Sequence, residues 1–304
     1  MYYFKPCLAG VFAAVLPVCV AAQDISGAAT FGYGHFKSSD GFPQTSVRSL
    51  DGKLGLRYDN GLLLGATASS ARASFDGIDE NVSANVFGLT AGAAFAEFWN
   101  AGAYYEYGEL SVDGFGDASI DSYGLFLGYE SDLMGMEFFF GETDNFVFDD
   151  ASIKWNDLGA RVSFNIGPDG VVGGHAIRSR VSSGGIDIDL TSYGLGGSYA
   201  FGNGLSAHAG VTRGEIDVLV GDLTTFGIGV GYDLSAAANF PAMLSVELAR
   251  SRIDDGEDRY DEDSIRLGIT LPFGGAKAVP MNSIAANAMS PNRTALTTAI
   301  VGSF

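Results

Sequence analysis

The chain has 304 residues, 47% of them hydrophobic and only 17% charged, and its 17 basic and 36 acidic residues give a formal net charge of −19. So negative a chain is a poor partner for a phosphate backbone, which excludes nucleic-acid binding. Beyond the N-terminus there is no run of about 18 apolar residues, which excludes a helical membrane protein. The 43 glycines, 22 phenylalanines and 13 tyrosines instead indicate a β-rich chain.

The first segment predicts export from the cytoplasm. Lys5 precedes an apolar stretch that ends in small residues, which indicates a secretory signal peptide over residues 1–22, cleaved before Gln23. A buried core helix is the alternative. Both cysteines, Cys7 and Cys19, lie in this segment. We therefore expect no disulfide, thiolate metal site or cysteine nucleophile in the mature chain.

From residue 24 onward, apolar residues occupy every second place in many short segments, which predicts strands with one apolar and one polar face. Examples are Tyr123 to Tyr129, Leu158 to Phe164, Tyr193 to Phe201, Phe226 to Tyr232 and Ile265 to Phe273. A soluble sandwich would show the same alternation. Two features favour a membrane barrel: the apolar faces often end in aromatics, and the opposite faces carry glycine, hydroxyls, amides and charge.

Short turns and longer polar links alternate along the chain, as in a barrel with tight turns at one mouth and loops at the other. The longer links are 37–49, 73–81, 112–119, 142–152, 181–187, 215–222 and 253–263. Counting the segments between links predicts an all-β, transmembrane, antiparallel up-and-down β-barrel of 14 strands, with 12 or 16 as alternatives. The last strand covers about Ser264 to Phe273. An even number of strands places both termini in the periplasm.

Three pieces of sequence carry a resemblance to a known family. They are the opening DISGAATFGYGHF, the strand ends GYE, GSYAFGNG and GVGYD, and the closing SIRLGITLPF. With these pieces the chain resembles the Gram-negative outer-membrane porins, in particular the general-diffusion type of α-proteobacteria. The closing piece is similar to the signal read by the barrel-assembly machinery, with Arg266, Gly268, Leu271 and Phe273 in place. The resemblance implies a passive channel for small hydrophilic solutes, often trimeric, with a long loop folded inward.

The sequence departs from that family in two respects. No link is long enough to be an obvious inward-folded loop, and the chain continues well past the last predicted strand. Both departures fit a smaller pore, and a monomer and a homotrimer are both left open. Fourteen strands should leave a channel of intermediate width.

Charged residues on the polar faces are the candidates for the pore lining, because charge is costly on a lipid face. They are Lys53, Arg57, Glu106, Glu137, Asp157, Arg161, Arg178, Arg180 and Arg266. The arginines of the eighth, ninth and fourteenth strands could form a basic wall opposite acidic residues and orient solutes. The alternative is that internal salt bridges merely tie these side chains together.

Other charges have a different predicted place. Arg213, Arg250 and Arg252 have the parity of the lipid face but lie near loops, where they contact lipopolysaccharide phosphates or extend into water. The acidic run 254–263 is predicted to be a solvated extracellular loop. A weaker alternative is that it holds Ca²⁺ or Mg²⁺; otherwise we expect no metal or cofactor. An acidic mouth predicts a preference for cations.

An enzymatic role is not expected. The three histidines, His35, His175 and His208, lie in no recognisable hydrolase motif. A binding, adhesion or structural role for a non-conducting barrel is the more serious alternative to a channel.

The chain therefore divides into a signal peptide over 1–22, a barrel over 23–273 and a periplasmic tail over 274–304. We expect the tail to be mostly disordered, with a partial plug of the lumen and a closing strand over Arg293 to Phe304 as alternatives. The predicted location is the outer membrane of a Gram-negative bacterium. The expected partners are outer-membrane lipid, lipopolysaccharide, the barrel-assembly machinery and small hydrophilic solutes.

Overall fold

The structure is a computed structural model, and it describes residues 24–39, 43–145, 154–217, 221–235, 240–254, 258–274 and 279–303. The predicted signal peptide lies outside these residues. Among the described residues, no helix has the length and apolar character needed to cross a membrane.

Fourteen antiparallel strands form one closed barrel, in which each strand pairs with its neighbours in the chain and β1 pairs with β14. The strands are β1 (Asp24–Ser38), β2 (Thr45–Arg57), β3 (Leu62–Phe75), β4 (Asn81–Ala94), β5 (Trp99–Val112), β6 (Gly116–Glu130), β7 (Met134–Asn145), β8 (Lys154–Ile166), β9 (Gly170–Ser183), β10 (Ile186–Ala200), β11 (Leu205–Ile216), β12 (Gly221–Asp233), β13 (Met243–Asp254) and β14 (Arg259–Phe273). The predicted strand number, antiparallel order and closure are confirmed.

Several connections are shorter than the sequence predicted, because the strands continue into the predicted links. Only Gly184 and Gly185 separate β9 from β10, and both have positive φ values, +59° and +88°, as a tight hairpin turn requires. In the parts of the strands nearest these connections, the alternation of apolar residues fades and charged residues replace them. Hydrogen bonding between the strands nevertheless continues, so a reading based on hydrophobic period ends each strand too early.

The two faces of the sheet have the composition that the alternation predicts. Phe31, Leu125, Phe138, Leu195 and Ile228 are among the many large apolar side chains exposed on the outer face. The inner face carries mostly small and polar residues, such as Thr30 and Thr270, whose hydroxyl oxygens lie 2.9 Å apart across the closing β1–β14 pair. It also has a cluster of buried aromatics, Tyr104, Phe126 and Phe139, which the alternation did not predict.

Residues 279–303 lie inside the barrel, where they form two helices, α1 (Ile284–Met289) and α2 (Ala295–Ser303). Helix α1 packs against the inner faces of β8 to β12, and α2 contacts β9 to β12 and also β4 across the lumen. The structure thus places this segment in the lumen, which the sequence analysis gave only as an alternative to a disordered periplasmic tail. The alternative closing strand over Arg293 to Phe304 is wrong, since α2 is helical and β14 completes the barrel. We call residues 279–303 the tail.

Candidate functional site

Seven of the nine predicted pore residues lie on the inner face of the barrel. They are Lys53, Arg57, Glu106, Glu137, Asp157, Arg161 and Arg266. They are not equally available to a solute. Asp157 is buried, where it accepts hydrogen bonds from the hydroxyls of Thr143, at 2.5 Å, and Ser179. Arg57 lies at the short-turn end, 3.9 Å from Glu130.

The prediction for Arg178 and Arg180 is wrong, because both lie on the outer face. Arg178 is opposite Leu158, which is 64% exposed, while the intervening Ser179 points inward to the tail. Both arginines bind Asp189 on β10, at the end of the barrel opposite the chain termini. Charge is inexpensive on an outer face near the rim, since it falls outside the apolar band.

The predicted basic wall is thereby reduced to Arg161 and Arg266. The Nη2 atom of Arg161 lies 3.0 Å from Glu137 on the neighbouring strand, as the salt-bridge alternative proposed. Arg266 is fully buried 5.5 Å above the ring of Phe36, and its Nη1 atom lies 3.5 Å from the carbonyl oxygen of Asn282 in the tail.

Two buried carboxylates of the inner wall hold the backbone of the tail. Glu106 accepts hydrogen bonds from the backbone N–H of Arg293 at 2.8 Å and from the Thr297 hydroxyl at 2.7 Å, beside the start of α2. Glu247 accepts one from the N–H of Ile284, the first residue of α1, at 3.2 Å. Carboxylates are favoured at these positions because the free N–H groups at a helix start carry partial positive charge. The wall therefore matches the polar ends of the tail helices.

Four further hydrogen bonds tie the tail to strands around the barrel. They join Met281 N to Thr30 Oγ1 at 3.1 Å, Asn282 Nδ2 to Leu267 O at 3.1 Å, His175 Nδ1 and Ala288 O at 2.7 Å, and Ala295 N to Ser179 Oγ at 2.9 Å. His175, for which the sequence predicted no catalytic role, thus binds the tail.

Arg293 is the main side-chain anchor of the tail. Its guanidinium lies 4.8 Å from the ring centre of Tyr104 and 4.9 Å from that of Phe139, and it forms an ion pair with Glu137. Glu137 is therefore shared between Arg161 of the wall and Arg293 of the tail. The sequence pattern did not predict this role. The available signal was that Arg293 is the only charged residue between 279 and 303.

Glycines on the inner face of β10 to β12 form a cradle for α1. A Cβ atom added at Gly210 would lie 2.7 Å from the Cα of Ala285, and one at Gly194 would lie 2.8 Å from the Cα of Ala288. Such distances do not occur between real side chains and backbone. The small residues on the inner face of these strands, which are compatible with a water-filled lumen, thus accommodate the backbone of α1 on this side of the barrel.

We expect Gly210→Ala to loosen the tail, because the new methyl group meets tail backbone and overpacking costs about 1–3 kcal/mol. The measurement is trypsin cleavage after Arg293 in the refolded protein. Gly214→Ala is the matched control on the same face of β11, where an added Cβ would lie 3.7 Å from the Cβ of Ala299, an ordinary contact. Equal cleavage of the two variants would contradict the cradle.

A cavity of about 790 Å³ remains between the tail and the opposite wall. Its lining includes Lys53, Thr67, Thr90, Asn100, Glu106, Arg161 and Ser163 on the barrel side and Met289, Asn292, Arg293 and Thr298 on the tail side. It reaches the short-turn end of the barrel at Glu130 and Ser131. We call this cavity the vestibule. Its size is typical of a site for small molecules.

The acidic run after β13 forms ion pairs where the structure describes it. Arg252 binds Asp261 at 2.9 Å and Arg259 binds Asp254 at 3.0 Å; residues 255–257 lie outside the described residues. The outer-face parity predicted for Arg213, Arg250 and Arg252 is confirmed, and each pairs with a neighbouring carboxylate. Within the described residues, no cluster of histidine, cysteine and acidic side chains could hold a metal ion.

The residues of the predicted assembly signal divide between the two faces of β14. Arg266 and Gly268 point into the lumen, whereas Leu271 and Phe273 are on the outer face. Recognition by the assembly machinery stays a prediction, as does contact with lipopolysaccharide.

The sequence matches no protein-family model, and none of the curated proteins matches it. Solved structures show the same fold. An anion-selective porin from Comamonas acidovorans is 11% identical, with a TM-score of 0.53 over 82% of this chain and 98% of the porin. A FadL homologue of Pseudomonas aeruginosa is 11% identical, with a TM-score of 0.51 over 84% and 91%. The monoaromatic hydrocarbon channel CymD is 12% identical, with a TM-score of 0.50 over 89% and 94%.

Proposed function

We propose that this chain is an outer-membrane channel for small hydrophilic solutes, with a passage that its own tail restricts. The observation that carries the proposal is the vestibule, a cavity of about 790 Å³ left beside the tail in a closed barrel. Its lining combines apolar side chains, such as Leu54 and Met136, with hydroxyls, amides and charged groups, and these polar groups can bind hydrophilic solutes. A binding or transport function is proposed in preference to catalysis, because the polar groups of the lumen hold the tail.

The apolar outer face supports placement in the outer membrane of a Gram-negative bacterium. The strands have 12 to 15 residues, which exceeds the 9–11 that typically span a bilayer, so a few residues of each strand would extend into water. The arginine–carboxylate pairs of β9 to β14 lie in the part of the strands that would extend into water, at the end of the barrel opposite the chain termini. Cleavage of the predicted signal peptide would leave both termini in the periplasm.

The test is single-channel conductance of the refolded mature chain in a planar bilayer. We expect steady open steps, smaller than those of the same barrel after the tail is released, since the tail occupies part of the cross-section. Silence from the intact chain and from a chain that ends at Gly274 would contradict a channel.

The cation preference predicted from the acidic links stays a prediction, to be checked by the reversal potential in a KCl gradient. Ion pairs reduce the negative charge from which this preference is predicted. An arginine on the outer face neutralises each of four carboxylates, those of Asp189, Asp222, Asp261 and Asp263. A reversal potential near zero would remove the preference and leave the channel in place.

A non-conducting barrel with a binding or structural role is the second candidate. It is favoured by the extent to which the tail is bonded into the wall, through Glu106, Glu137 and Glu247. The conductance of tail-released variants separates the candidates, because a barrel filled by its own wall would stay silent after release.

A further inference from the structure

The vestibule contains a cation, Lys53, that no group among the described residues neutralises. Lys53 lies on the inner face of β2, the same face as Asp51 two residues earlier. Its partner on the neighbouring strand β3 is Thr67. Its side chain is exposed although it is inside the barrel, because it borders the vestibule. Within the part of the chain that the structure describes, its ammonium group has no hydrogen bond or ion pair.

Arg161 is a second accessible cation in the same cavity. One of its nitrogens binds Glu137, and 34% of its side-chain surface remains exposed. Glu137 also carries the ion pair with Arg293, so one carboxylate serves two guanidinium groups. The positive charge of this side of the vestibule is therefore not balanced by Glu137 alone.

The other carboxylates of the lining do not supply the missing negative charge. Asp51 and Glu106 are only 5% and 3% exposed, and Glu106 is occupied by the backbone of Arg293 and the hydroxyl of Thr297. Glu130 lies at the mouth, where Arg57 is 3.9 Å away. The accessible charge of the vestibule is thus mainly cationic, and neutral hydroxyls, amides and apolar side chains surround it.

We propose that the vestibule binds a small anionic solute, with its carboxylate or phosphate group held by Lys53 and Arg161. An ammonium acts as a point charge for such a group, and a guanidinium presents several N–H donors in a plane. Thr67, Thr90 and Asn100 offer neutral hydrogen bonds to the rest of the solute. The inference deepens the proposed function and rests on it for the access of solutes from water.

The experiment is calorimetric titration of the refolded full chain with inorganic phosphate and, separately, with succinate. We expect one of the two probes to bind at a single site, and the stronger of them identifies the group that is recognised. Lys53→Gln should weaken that binding about tenfold, the effect of losing one charge-assisted hydrogen bond. Lys53→Arg should retain it.

Lys154→Gln is the matched control, since Lys154 is an exposed lysine on the outer face of β8 and the substitution changes the net charge equally. Absence of binding by both probes, or equal affinities in the Lys53→Gln and Lys154→Gln variants, would overturn the inference. Conductance separates the two proposals. Steps without anion binding remove only this site, whereas anion binding by a silent barrel supports the site and removes the channel.

Discussion

Arg293→Met is expected to release the tail and to increase the single-channel conductance severalfold. The substitution removes the ion pair with Glu137 and the contacts of the guanidinium with Tyr104 and Phe139. Loss of one partner from a buried pair costs about 3–5 kcal/mol, and we expect the lower end because Arg161 continues to neutralise Glu137. A loss of about 3 kcal/mol changes the ratio of docked to released tail by more than a hundredfold.

Methionine retains an unbranched apolar stem, so packing against the two rings is largely preserved and the effect reports on the charge. Chymotrypsin cleavage at Leu296 provides a second readout that is independent of the bilayer. The control is Arg252→Met, which breaks an exposed outer-face pair with Asp261 that contributes about 0–1 kcal/mol. If the conductance and the cleavage of Arg293→Met equal those of the control, Arg293 is not the anchor.

A reversible cross-link between the tail and the wall is expected to abolish that gain. Gly214 of β11 and Ala299 of α2 are suited to it, because a Cβ at residue 214 would lie 3.7 Å from the Cβ of Ala299. Disulfides join residues whose Cβ atoms are about 3.5–4.5 Å apart. The chain's own cysteines both lie in the predicted signal peptide, so no other thiol should compete in the mature protein.

The variant combines Gly214→Cys and Ala299→Cys with Arg293→Met. Under oxidising conditions we expect the small conductance of the unmodified chain, and after reduction the large steps of Arg293→Met. Either cysteine alone, in the same background, is the control for an effect of the substitutions themselves. Large steps from the fully cross-linked protein would show that the tail does not restrict the passage.

The period-two pattern predicted the strands, and the aromatic strand ends, the polar opposite faces and the alternation of short and long links favoured a barrel over a sandwich, because each of these features recurs from β1 to β14. It could not predict the place of the tail. Glycine on an inner face is compatible with water and equally with the backbone of a helix, as at Gly194 and Gly210. The choice depends on contacts between residues far apart in sequence, such as Glu106 with Arg293.

The same limit explains the error at Arg178 and Arg180. A charged residue in a strand indicates contact with water, and the sequence analysis assigned that water to the lumen. The register of β8 with β9 places both residues outside, where Asp189 neutralises them at the rim. The sequence pattern does not specify well how far along a strand a residue lies. That position decides whether a charged side chain contacts water in the lumen or water outside the rim of the barrel.

The contacts of the tail impose an order on biogenesis. Met281 binds Thr30 of β1, and Ile284 binds Glu247 of β13, so its docking surface includes strands from both ends of the sheet. That surface is complete only after β1 has paired with β14. The full set of tail contacts can therefore form only once the barrel has closed, so we expect the completion of tail docking to follow closure. We therefore expect a stage of folding at which β1 and β14 have paired but the tail has not yet made all of its contacts.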